Sequence, residues 1–124
     1  MGPIDDAMTV PRLRVVVFPE TTKAWTARSL EHDLAAVGRT AEAAVGALMR
    51  VASAHVAYDL RHGRPPLSAF CAAPRSYWNA YAGASMATKP TEVRTTDPQA
   101  TVSCLVTVTR ENPAIRRLAP YRIA

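Results

Sequence analysis

Cysteine is almost missing from this sequence. Cys71 and Cys104 are its only two thiols, they stand in unlike contexts, and neither belongs to a Cys-x-x-Cys pair, so no disulfide framework is available and two reduced thiols are expected. Glycine is also scarce. The five glycines never come closer together than Gly38 and Gly46, which leaves no Gly-rich loop to cradle a phosphate. Long apolar runs are missing too: runs such as Val15 to Phe18 fall far short of the roughly 18 residues that cross a membrane. The opening Met-Gly-Pro-Ile-Asp-Asp is acidic where a secretory signal is basic, and no apolar stretch follows it. A cytoplasmic location without membrane association is the expectation.

Acidic residues thin out along the chain. Residues 1–62 carry seven basic and seven acidic side chains, whereas residues 63–124 carry eight basic and three acidic, so the whole net charge of +5 belongs to the second half. Such a half can attract nucleic acid or an acidic protein surface. Arg110, Arg116, Arg117 and Arg122 are the candidate nucleic-acid contacts. What the chain does have is apolar content: 48% of 124 residues, enough for the core of a single domain.

Read in order, residues 1–11 form a flexible lead-in, with two prolines and no periodicity. Arg12 to Phe18 is a strand with Leu13, Val15 and Val17 on one face, and it is expected to stop at Pro19, which has no ladder donor. A short polar turn suits a hairpin, so Trp25 to Leu30 follows as an antiparallel strand with Trp25, Ala27 and Ser29 on one face and Thr26, Arg28 and Leu30 on the other. Glu31-His32-Asp33 breaks it, and Leu34 to Val37 is a third strand. Gly38 is expected to take a positive φ at the sheet exit, and Thr40 to cap a helix.

From Ala41 the apolar spacing is helical. Ala41, Ala44, Val45, Leu48, Ala52, His55 and Val56 share one face, and the helix should end at Arg61-His62-Gly63, where His62 lies near the negative end of the dipole and Gly63 forms a left-handed cap ahead of Pro65-Pro66. Pro66 to Phe70 reads as extended. Residues 74–83 read as a short second helix with Tyr77, Trp78 and Tyr81 on an aromatic face, Lys89 to Ala100 as a linker, residues 101–109 as a strand, and 110–124 as a tail.

The succession Trp25-x-Ala27-x-x-Leu30-Glu31-x-Asp33-Leu34, then Gly38-x-Thr40 and a helix with Ala44 and Leu48, resembles the HicB-like family over roughly residues 13–61. That family comprises antitoxins of toxin–antitoxin pairs and orphan proteins of the same small domain. The resemblance implies a partial ribonuclease-H-like fold in the order β-β-β-α-β, a three-stranded antiparallel sheet with one helix across it and a fourth strand, here the one near Val102, pairing back onto it. It also implies a cognate toxin as partner. Two positions depart from the family: Arg39 stands where an acidic residue is usual and Ala43 where a glutamate completes the capping box, so Thr40 caps without a reciprocal bond. No helix-turn-helix or ribbon-helix-helix module follows the scaffold, which argues against a DNA-binding repressor.

Chemistry-bearing constellations are few. His55, Asp59 and His62 are spaced four and three apart on one helical face, and His with carboxylate is a plausible transition-metal set. The simpler account gives His55 to the core face, Asp59 to a local partner and His62 to the helix terminus. A ribonuclease-H-like outline suggests a nuclease, yet Glu31 and Asp33 have no further carboxylates at other strand ends to complete a divalent site. The aromatic set Tyr77, Trp78 and Tyr81 suits a partner contact or a stacking platform, or docking of its helix on the sheet.

The sequence therefore predicts a two-layer α+β (α/β) domain over residues 12–109: a small antiparallel sheet of three to four strands, one long helix, and helices mainly on one face. The core is 12–62, with the short helix 74–83 and the closing strand 101–109. The predicted function is a non-enzymatic interaction protein, a HicB-like antitoxin or orphan relative that binds a protein partner and forms a homo-oligomer, without cofactor or catalytic residues. The alternatives are a nucleic-acid-binding regulator using the basic second half and, further off, a metal-dependent hydrolase using the His55, Asp59 and His62 face.

Overall fold

A computed structural model of the chain describes residues 10–95 and 100–113. The fold is α+β and is built around one strand. β1 (Arg12–Thr21) lies at the centre of a five-stranded sheet in the order β3-β2-β1-β5-β4, with β2 at Ala24–Ser29, β3 at Ala35–Gly38, β4 at Thr91–Thr95 and β5 at Val102–Val108. Helix α1 (Ala41–Arg61) connects the first three strands to the rest, and α2 (Arg75–Ala87) precedes β4.

Val15, Val16, Val17 and Phe18 are all essentially buried. An unbroken apolar run of this kind marks a strand covered on both faces. On one face Leu13, Val15 and Val17 pack with Ala27, Val102, Cys104 and the α1 residues Ala44, Leu48, Ala52 and Val56. On the other, Val16, Phe18 and Leu30 pack with Ala73 and Tyr77 at the start of α2, with Trp78, Ala80 and Tyr81 alongside. The helices therefore cover opposite faces, giving three layers where two were expected. The aromatic face of α2 needs an apolar floor, and only the second face of β1 and β2 supplies one.

The sheet also differs from the expected antiparallel one of three to four strands. β1 pairs antiparallel with β2 and β2 with β3, but β1 pairs parallel with β5. β5 does return to the sheet. The fifth strand, β4, arises inside the segment read as a linker, because an edge strand needs only one apolar side chain: Val93 packs toward the core while Glu92 and Arg94 stay exposed. Nor does β1 end at Pro19. Leu30 N donates to Arg14 O at 2.9 Å, so even-numbered residues of β1 bond to β2 and odd-numbered ones face β5. The last β1–β5 pair is Val17↔Val108, so Pro19 lies past it, at a register shift, where no amide is required.

Around α1 the expected caps form. Thr40 Oγ1 accepts from Ala43 N at 3.0 Å, and Gly63 has φ +66°. Gly38 is not in the left-handed region, since Gly63 is the only glycine with positive φ among the described residues. Its missing side chain serves proximity instead: a Cβ there would sit 2.5 Å from Ala44 N and 2.7 Å from Ala43 C. The helix start thereby comes directly against the end of β3.

Pro66 to Phe70 forms consecutive turns and not extended chain, with Ser68 N donating to Pro65 O and Phe70 N to Leu67 O. Leu67 sits there at φ +62°, fully buried, its amide donating to Asp59 Oδ2 at 2.7 Å. The chain then crosses the end of the sheet, pinned where Cys71 O accepts from Asp33 N at 2.7 Å and where Ala73 N donates to Leu30 O at 2.8 Å. α2 runs past Gly83 to Ala87, since an exposed glycine costs a helix only about 1 kcal/mol. The lead-in over residues 1–9 and the tail from 114 onward lie outside the described residues. No helix among the described residues is long and apolar enough to cross a membrane.

Candidate protein-binding surface

β1 alternates Arg12, Arg14, Val16 and Phe18 toward the α2 side. α2 covers the Val16 and Phe18 end, and the Arg12 and Arg14 end is left open. Strand register sets two rows across it, Arg14 beside Leu105 beside Glu92, and Arg12 beside Ser103 beside Arg94. At the centre of the first row Leu105 is 45% exposed. A cavity of about 440 Å³ lies over these rows, lined by Arg12, Leu13, Arg14, Glu31, Glu92, Ser103 and Leu105.

The polar groups here are held. Arg14 Nε pairs with Glu31 Oε2 at 3.0 Å while the Arg14 amide donates to Glu31 Oε1 at 2.7 Å, and the Arg14 guanidinium lies 5.3 Å from the Trp78 ring centre. Trp78 Nε1 donates to Ala73 O at 3.1 Å, which fixes the indole at the margin of the surface. Tyr81 completes that margin. Burial pushes its phenol above the ordinary range, Arg14 pulls it back and Glu31 adds to the rise. Behind this margin Arg28 bonds both oxygens of Asp33, at 2.7 and 2.9 Å, and donates to Tyr77 Oη at 3.1 Å while lying over that ring. The bond to Asp33 raises the Arg28 pKa further, against the opposing effect of burial.

The arrangement divides the aromatic set. Tyr77 is buried against Phe18, ring centres 5.8 Å apart, and anchors α2. Trp78 and Tyr81 are half-buried and remain on the surface. Of the basic candidates, Arg110 is exposed just beyond β5, away from the rows, while Arg116, Arg117 and Arg122 lie outside the described residues. Glu31 and Asp33 are taken by different arginines.

The histidine-bearing helix face does not assemble. His55 meets Phe70 edge-on at 4.9 Å, Asp59 is buried and bonded to Leu67 N, and His62 Nδ1 lies 2.8 Å from Tyr58 O with its ring stacked on Tyr58. Among the described residues no three His, Cys, Asp or Glu side chains come together as a metal site. Burial pushes the Cys104 thiol up to about 12, while Cys71 is exposed.

Sequence reasoning missed Arg12, Arg14, Glu92 and Leu105. The signal was present in the strands: Val102, Cys104 and Val106 define one face of β5, so Leu105 between Ser103 and Thr107 is an apolar residue on the polar side. A second, apolar groove of about 350 Å³ lies between α1 and the β4 edge, lined by Ala41, Val45, Gly46, Met49, Val93, Val106 and Val108 among others. No family model, curated protein or solved structure matches the chain.

Proposed function

We propose that this chain is a non-enzymatic interaction protein, cytoplasmic and self-associating, that binds a protein partner through the open end of the sheet on the α2 side. The observation that carries this reading is the composition of that surface: an exposed Leu105 in a cavity edged by Arg12, Arg14, Glu31 and Glu92, with Trp78 held beside Arg14. An apolar centre with arginine and large aromatic side chains around it is the composition typical of protein interfaces. The resemblance to HicB-like proteins adds the class of partner, a small RNA-cleaving toxin whose active surface the chain would occlude.

Tagged protein recovered from its host at low salt, with and without nuclease, tests the proposal. The expected result is a small basic protein in near-equal amount, insensitive to nuclease, whose RNA cleavage is suppressed in the complex and restored by Leu105→Glu or Trp78→Ala in a chain that stays folded. Recovery of nucleic acid in place of a protein would transfer the reading to the basic second half. Recovery of the chain alone would count against any stable partner.

A further inference from the structure

β4 ends the sheet, and the way its charges alternate bears on what can lie beside it. Ser103 N donates to Pro11 O and Thr109 N to Val17 O, so the odd-numbered residues of β5 bond to β1 and the even-numbered ones turn to β4. Their register partners are Thr95, Val93 and Thr91. The backbone groups of Glu92 and Arg94 therefore point outward, and no strand among the described residues pairs with them. Both side chains are exposed. Neither forms an ion pair among the described residues, and Glu92 accepts only the Ser103 hydroxyl, at 3.3 Å.

An antiparallel neighbour must place its own outward-facing residues opposite Glu92 and Arg94. For a second copy of β4 the available registers set Glu92 against Glu92, Arg94 against Arg94, or Glu92 against Arg94. The first two bring like charges together at close range, which is unfavourable. The third forms opposite-charge pairs twice over, about a two-fold axis passing Val93. In it each Glu92–Arg94 pair exchanges both of its backbone hydrogen bonds, Thr91 meets Thr95, and Val93 meets Val93. The strand is thus self-complementary in the sense that a two-fold interface requires.

We propose that a second copy of this chain is the occupant of the β4 edge, paired antiparallel with Glu92 of each copy against Arg94 of the other. The opposite edge offers no such selection. Ser29 N donates to Leu34 O, so on β3 the outward residues are Ala35 and Val37, which carry no charge to choose a register. Pairing on β4 also joins the two arginine-rich rows into one surface across the axis. The pairing rests on β4 itself and does not depend on the partner-binding reading.

Sedimentation of the full chain at low salt, with a melting curve to confirm folding, tests the proposal. The parent is expected to form a dimer. Glu92→Arg and Arg94→Glu are each expected to weaken it by about tenfold, the effect of losing paired cross-strand charges twice, while E92R/R94E together restore it. In a C71S/C104V background, which also removes the thiol opposite Val93 on β5, V93C is expected to give a disulfide-linked dimer, because the two copies of residue 93 face each other at a non-hydrogen-bonded position with Cα atoms about 4.5 Å apart. A parent that stays monomeric at about 1 mM, a level that excludes all but negligible affinity, overturns the proposal. So does a dimer indifferent to both single reversals, or a double reversal no better than the singles.

Discussion

At Gly38 the only thing at stake is room. Because a Cβ would press on backbone atoms of Ala43 and Ala44, Gly38→Ala should lower stability by about 2 kcal/mol, the range of an overpacked core, in a urea titration; an unchanged midpoint would show that α1 can shift away. Asp59 offers a different test. Its carboxylate holds the amide of Leu67, a bulky residue at positive φ, so Asp59→Ala removes a charged acceptor worth about 1.5–3 kcal/mol, and Asp59→Asn, which keeps an oxygen, should cost less. Cys104 predicts a pH effect. Its thiol is raised from 9.0 to about 12 in the folded chain, so the folded state holds a proton that the unfolded state gives up. The stability it contributes is complete below pH 9, and it is lost as pH climbs through about 12. Cys104→Val should flatten that alkaline loss. At pH 8 a thiol reagent should modify Cys71 alone until the chain unfolds, and rapid reaction of both thiols would contradict the burial of Cys104.

Elements differ in how openly the sequence announced them. α1 was legible in full because its apolar spacing, the Thr40 cap and the Gly63 stop all point to the same helix. β1 and β5 were legible because β-branched residues are dense in them, and β2 because the short polar turn after β1 suits a hairpin. β4 was not: a strand at an edge, with only Val93 turned inward, has the composition of a linker. The side of the sheet taken by α2 was also hidden, since an aromatic helix face names no floor, although the unbroken burial-prone run from Val15 to Phe18 asks for cover on both sides. Nor could spacing show that Tyr77 belongs inside while Trp78 and Tyr81 stay out. Tyr77 decides whether α2 stays docked. Tyr77→Phe should cost about 1 kcal/mol for the lost bond from Arg28, while Tyr77→Ala should cost about 3–5 kcal/mol. In the second variant amide exchange should rise along residues 75–87 before it rises in β1; equal rates everywhere would mean that α2 is not a separable unit.

For the molecule as a whole, the proposed binding surface was the least legible part, because it is made by register. Arg14, Leu105 and Glu92 come from three strands, and no linear pattern joins them. The same register has a consequence in time. β1 is paired on one side by a hairpin neighbour and on the other by β5, and the latter pairing joins residues as distant as Val17 and Val108. During synthesis, at roughly 5–20 residues per second, the first three strands and α1 can assemble while the other edge of β1 waits several seconds for its partner. For that interval the nascent domain presents an apolar strand edge, the kind of surface that pairs with other chains. A ribosome-bound or truncated chain ending before Thr101 is therefore expected to aggregate or to recruit chaperones, and the same chain extended through Pro113 to stay dispersed. Light scattering of the two fragments would show it.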